Sequence, residues 1–118
     1  MRNIIIVTGG AGFIGSNLIK YLVNKTNSKI ISIDNYSSGK IKNHSNHKNV
    51  KYIRGENNDI SEILNPYKKK IKVIFHFGEF SRIYQSFLNT KECLNYNIKH
   101  TFEVINFAKD NKIKIIYS

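Results

Sequence analysis

Among 118 residues there is a single cysteine, Cys93. One thiol closes no intramolecular disulfide and builds no thiolate zinc site, so the fold is expected to rest on packing in a reducing, cytoplasmic setting. Long apolar runs are missing as well. The N-terminal run, Ile4 to Val7, falls far short of the roughly 20 residues that span a bilayer and of a secretory apolar region. No membrane is expected as a partner. Tryptophan is absent and proline occurs once, at Pro66, so most turns are left to glycine and polar residues. Arginine is scarce too: only Arg2, Arg54 and Arg82 stand among 19 basic residues. The net charge of +11 would suit a polyanion, but bidentate recognition of phosphates and bases favours arginine over lysine. Isoleucine, lysine and asparagine fill 52 positions while alanine fills two, a skew that matches AT-rich coding. The lysines therefore read as a solvated surface that would assist a phosphate ligand, with no specific nucleic-acid partner. A basic nucleic-acid-binding domain stays as the lesser alternative.

What is present is an alternation. Asn3 to Thr8, Lys29 to Asp34, Val50 to Arg54, Lys72 to Phe77 and Lys112 to Ser118 are short β-branched segments. The first and fourth are nearly continuous apolar runs, which suits central strands covered on both faces. Phe13 to Lys25 carries Ile14, Leu18, Tyr21 and Leu22 at helical spacing, and Lys91 to Asp110 carries Leu94, Ile98, Phe102, Ile105 and Ala108 on one predicted face. A short helix is expected from Ile60 to Asn65, ended by Pro66. Strand and helix in turn imply βαβ units. Right-handed crossovers then give an α/β, Rossmann-type doubly wound parallel sheet of five strands in the order 3-2-1-4-5. The length suits one domain, 1–118.

Between the first strand and the first helix runs VTGGAGFIGS, with Gly9, Gly12 and Gly15 spaced GxxGxxG. Gly9 allows a tight turn, Gly12 lets a pyrophosphate approach the main chain, and Gly15 lets the helix lie close on the strand. The anion would meet free N–H groups at the N-terminus of the helix starting near Phe13. Asp34 ends the second strand, 19 residues after Gly15. A carboxylate there accepts from an adenosine ribose and repels a 2′-phosphate, which favours NAD over NADP.

At these residues the sequence resembles the extended short-chain dehydrogenase/reductases, the family that includes NAD-dependent nucleotide-sugar epimerases and dehydratases. The likeness runs through TGGAGFIGSNL, IDNYSSGK (Ile33 to Lys40), VIFHFGEFS (Val73 to Ser81) and NYNIKHTFEVINFAKDNKIKIIYS (Asn95 to Ser118). It implies that the backbone of Gly12, Phe13 and Ile14 holds the pyrophosphate, and that Asp34 and Asn35 hold the adenosine ribose. Asp59 and Ile60 would flank the adenine, with Glu56 an alternative to Asp59 because RGENNDIS is longer than the family's usual segment. Phe77, Gly78, Glu79 and Ser81 would line the middle of the cofactor, and Asn97 would tie the long helix to it.

The same resemblance places the chemistry elsewhere. The family's catalytic Ser/Thr and Tyr-x-x-x-Lys follow strand five, which here runs into Ser118. Two internal Tyr-x-x-x-Lys matches, Tyr21 with Lys25 on the first helix and Tyr36 with Lys40 in the loop at the adenosine end, both stand on the wrong side of the cofactor from a nicotinamide. No catalytic or metal-ligating residue is therefore assigned, and this chain alone is expected to bind cofactor without turnover. A nucleotide-sugar substrate would need a C-terminal half. A non-catalytic NAD-binding module is the alternative of another class. His44 and His47 are expected to be solvated loop histidines, and His76 either a packed or a catalytic one. Strand five is expected at a sheet edge with Ile113, Ile115, Ile116 and Tyr117 poorly covered, inviting self-association.

Overall fold

The structure, a computed structural model, describes residues 1–56, 59–78 and 101–117. The elements in chain order are β1 (Ile4–Thr8), α1 (Phe13–Lys25), β2 (Lys29–Asp34), β3 (Val50–Arg54), α2 (Ile60–Leu64), β4 (Ile71–His76), a helical stretch 101–110 taken as α3, and β5 (Lys114–Tyr117). One-turn 3₁₀ helices at Ile41–Asn43 and Asn65–Tyr67 punctuate the connections. All strand pairs are parallel, in the order β3-β2-β1-β4-β5.

Burial on both faces explains why β1 is apolar throughout. Ile4 and Ile6 join Ile31, Ile33, Ile71 and Ile74 on one face, under Ile60 and Leu64 of α2 and Val104 and Phe107 of α3. Ile5 and Val7 join Ile30 on the other face, under Ile19 of α1. In β4, Ile71 packs with the first set and Val73 borders the second, although residues two apart normally share a face. The register shift opposite Ile4 and Ile5 accounts for this, since exposed Lys72 is the extra residue.

Two helix faces differ from the periodicity expected above. In α1 the buried positions are Gly15, Ser16 and Ile19, while Ile14 and Tyr21 are exposed. Pressing Gly15 onto the strand turns the helix by about one position. In α3 the buried residues are Val104, Phe107 and Ala108, leaving Phe102 62% and Ile105 43% exposed. Here the C-terminus sets the rotation. Lys112 adopts φ 55°, its N–H donates to the Lys109 carbonyl at 3.2 Å, and the Ile113 N–H donates to the Ala108 carbonyl at 2.8 Å. That pair of bonds is a Schellman cap, and its usual apolar contact draws Ile113 into the core. Ile113 is therefore buried, against expectation. Ile115 is partly buried, and Ile116 and Tyr117 (55%) are exposed on β5, whose described neighbour in the sheet is β4. Residues Leu94 and Ile98 of the predicted helix face lie outside the described residues, as do Cys93 and Ser118.

Candidate functional site

At β1 the strand order reverses: the chain leaves β1 towards α1 on one face, while β4 leads towards α3 on the other. Ligands of open α/β sheets bind in the crevice outside the carboxyl ends of the strands at such a reversal. Gly9 stands at that point. Its φ is +74°, and its N–H donates to the Ile33 carbonyl at 2.7 Å. A Cβ there would stand 2.7 Å from the Phe77 carbonyl oxygen and 2.9 Å from the Gly78 nitrogen. Gly15 is buried on the same turn, where a Cβ would run into the Gly9 carbonyl and Gly10.

Gly12 differs from both. It caps α1 in extended backbone (φ −81°, ψ −178°), and among the described residues the only heavy atom facing a Cβ within 4 Å is the Gly9 carbonyl oxygen, at 3.3 Å. The described residues leave the space in front of it open. The first helical bond runs from the Ser16 N–H to the Gly12 carbonyl at 3.0 Å, so the N–H groups of Phe13, Ile14 and Gly15 precede the ladder and have no acceptor within the helix. The Phe13 and Ile14 side chains point into solvent, so these two residues present main chain to a ligand. A glycine seat with open N–H groups fits an anion such as a diphosphate.

Asp34 ends β2 beside this seat, only 8% exposed. Its Oδ2 accepts from the Ala11 N–H at 3.0 Å and its Oδ1 from the Tyr36 N–H at 2.8 Å. The carboxylate thus holds the glycine turn and the start of the following loop, while each oxygen keeps a lone pair. Asn35 accepts from the Ser37 N–H at 2.9 Å and donates from Nδ2 to Glu56 Oε2 at 3.2 Å. Asp59 is exposed at the start of α2 with no side-chain capping bond. The side chain brought to Asn35 is therefore Glu56. Ile60 is fully buried in the core, so a base could meet only its main chain.

Thr8 closes the crevice from below. Its hydroxyl accepts from the Phe77 N–H at 3.1 Å and the Gly78 N–H at 3.0 Å, and lies 2.6 Å from His76 Nδ1. With both lone pairs engaged, the hydroxyl proton points at Nδ1. The imidazole proton then sits on Nε2 and is donated to Thr101 Oγ1 at 3.0 Å. His76 is wholly buried, with the Tyr117 ring stacked 5.8 Å away. It is the packed histidine of the two alternatives, linking β1, β4 and α3 and positioning Phe77 and Gly78 through Thr8. Glu79, Ser81 and Asn97 lie outside the described residues.

Between β2 and β3 there is no α-helix, and the loop covers the sheet with rings instead. His44 stacks on Tyr52 at 3.7 Å and is hydrogen-bonded through Nε2 to the Tyr36 hydroxyl at 2.7 Å, while Arg54 lies over Tyr36 at 4.7 Å. His44 is therefore not a solvated loop residue: half-covered Val50 and Tyr52 need a lid. Burial, with Asp34 and Tyr52 adding to it against Arg54, pushes the Tyr36 phenol above its ordinary value.

Sequence reasoning missed Thr8, Gly10 and Gly39. Gly10 packs so closely on Ser32 that a Cβ would strike the serine hydroxyl. The available signals were the one hydroxyl residue closing an isoleucine strand and the glycines outside the GxxGxxG spacing. Among the described residues, no helix is long and apolar enough to cross a membrane.

The model of the NAD dependent epimerase/dehydratase family matches residues 5–118. The chain belongs to that family. It is 34% identical over 121 residues to the ADP-L-glycero-D-manno-heptose-6-epimerase of Brachyspira hyodysenteriae, covering 97% of this chain and 36% of the relative. It is 35% identical to the dTDP-D-glucose 4,6-dehydratase of Dictyostelium discoideum, covering 93% and 27%. The UDP-glucose 4-epimerase of Thermotoga maritima, solved with UDP-glucose, superposes with a TM-score of 0.85 at 25% identity, covering 97% of this chain and 37% of that one. The chain spans about a third of the length of these relatives.

Proposed function

We propose that residues 1–118 form one dinucleotide-binding domain that holds NAD, the N-terminal part of an enzyme acting on a nucleotide-sugar. The observation that carries this is the open front of Gly12 at the start of α1, set beside the buried Asp34 carboxylate. The N–H groups of Phe13 and Ile14 hold the diphosphate. Asp34 keeps lone pairs for the adenosine ribose hydroxyls and repels a 2′-phosphate. Asn35 and Glu56 stand on the adenosine side together with the main chain of Ile60 and, more loosely, Asp59. Phe77 and Gly78 line the middle of the cofactor.

Bound NAD supplies a reversible hydride acceptor for a sugar carbon. The described residues bind and orient; the substrate half and the acid–base groups belong to further polypeptide. A basic surface draws in anionic cofactor and nucleotide-sugar alike. The setting proposed is cytoplasmic, and the exposed edge of β5 with Ile116 and Tyr117 favours self-association. Calorimetry of the folded chain with NAD, NADP and nicotinamide mononucleotide tests the reading. NAD is expected to bind, NADP more weakly, and the mononucleotide hardly at all. A folded chain that gives no heat with NAD refutes it.

A further inference from the structure

Ala11 lies in the middle of the glycine turn and is fully buried. Both of its main-chain polar groups are taken up from outside the turn. Its N–H goes to Asp34, and its carbonyl accepts twice: from the Lys40 N–H at 3.0 Å and from Asn43 Nδ2 at 2.8 Å, the latter across 32 residues. Asn43 is half-buried on the 3₁₀ turn Ile41–Asn43, which its own N–H closes onto the Lys40 carbonyl at 2.9 Å. Gly39 lets this loop come in, because a Cβ there would stand 2.7 Å from Asp34 Oδ2 and 2.9 Å from the Ala11 Cβ.

The Ala11–Gly12 peptide is a rigid plane. Holding the Ala11 carbonyl therefore sets the orientation of Gly12, the residue that caps α1 and opens onto the anion seat. Lys40 contributes main chain that any residue would supply. Asn43 contributes a side-chain donor, whose reach and chemistry depend on the residue. We infer that Asn43 is a positioning residue for the diphosphate seat: it fixes the glycine turn from the loop side without touching the ligand. This rests on the NAD-binding reading above.

The test uses two ligands, ADP-ribose with a diphosphate and distal ribose and adenosine with neither, titrated into the folded wild-type chain and into Asn43→Leu and Asn43→Ala. Leucine keeps the volume and removes the donor. One hydrogen bond's net worth corresponds to about 2- to 12-fold in affinity. ADP-ribose is expected to weaken by that factor, with adenosine held within about 2-fold and the circular dichroism unchanged. A wild-type chain that binds neither ligand refutes the NAD reading itself. Wild-type affinity for ADP-ribose in either folded variant refutes the role of Asn43 alone, as does an equal loss for both ligands. Hydrogen exchange at Gly12 and Ser16, whose N–H groups are held by the Gly9 and Gly12 carbonyls at 3.1 and 3.0 Å, supplies a second readout: it should quicken in a folded variant, and unchanged exchange counts against the inference. Should Asn43→Leu fail to fold, Asn43→Ala decides by the same two measures.

Discussion

Adding one methyl group to the glycine turn at Gly12 or at Gly15 should produce opposite failures. At Gly15 the new Cβ meets the Gly9 carbonyl and, at 2.9 Å, the Gly10 Cα. Neither can retreat. Gly9 is held to Ile33 at 2.7 Å, and Gly10 is wedged against Ser32 and Ile19. Overpacking against fixed backbone falls in the upper part of the usual range, about 2–3 kcal/mol, and the better helix propensity of alanine returns about 1 kcal/mol. Gly15→Ala should therefore lose about 1–2 kcal/mol, a fall in Tm of roughly 3–8 °C for a chain of this size. At Gly12 the backbone suits any residue, and among the described residues the Cβ meets only the Gly9 oxygen, at 3.3 Å. The weaker capping by alanine, up to about 1 kcal/mol, is offset by about 0.4–1 kcal/mol of unfolded-state entropy. Gly12→Ala should melt within about 3 °C of wild type yet bind NAD at least tenfold more weakly, because the methyl stands in the anion seat. Saturating NAD raises the Tm of a binder by mass action, so thermal melts with and without NAD read both quantities at once. Gly12→Ala showing the wild-type NAD-dependent rise would refute the seat. Gly15→Ala at the wild-type Tm would refute the close contact of α1 with the turn.

Thr8→Val removes the hydroxyl that accepts from the Phe77 and Gly78 N–H groups and donates to His76, while the Phe77 N–H keeps the Thr8 carbonyl at 3.1 Å. It should cost about 2 kcal/mol or more in a urea melt, with Thr8→Ser recovering most of it. Lys112→Gly relieves a left-handed conformation that costs a non-glycine residue about 1–2 kcal/mol, less glycine's own entropy of about 0.5–1 kcal/mol, a net gain of up to about 1.5 kcal/mol. The Tm should rise by about 2–5 °C, and a fall would contradict the Schellman cap. The raised Tyr36 phenol gives a pH dependence of definite sign. The folded chain holds this proton more tightly than the unfolded chain, so the stabilisation is present below about pH 10 and is lost as pH climbs through the folded value. Tyr36→Phe should flatten that alkaline decline relative to wild type, and identical alkaline profiles would exclude the effect.

Much of the architecture follows from local pattern. Isoleucine-rich segments of five or six residues, separated by polar turns, specify parallel strands. Chirality of the crossovers then narrows the strand order to a few, and the GxxGxxG spacing between strand and helix announces the anion seat. Those signals are local, and local steric and hydrogen-bonding preferences decide them. What the linear pattern could not decide was rotation and pairing. The buried face of α1 depends on Gly15 resting on Gly9, and that of α3 on the cap that draws Ile113 inward. Both are contacts between elements, and a shift of one position changes which isoleucine or phenylalanine meets solvent. The same holds at the site. That Glu56 rather than Asp59 reaches Asn35, that His76 is enclosed between two threonines, and that Asn43 grips Ala11 all depend on distances across 21 to 68 residues of sequence. No spacing rule encodes such distances, because only the closed sheet brings those residues together.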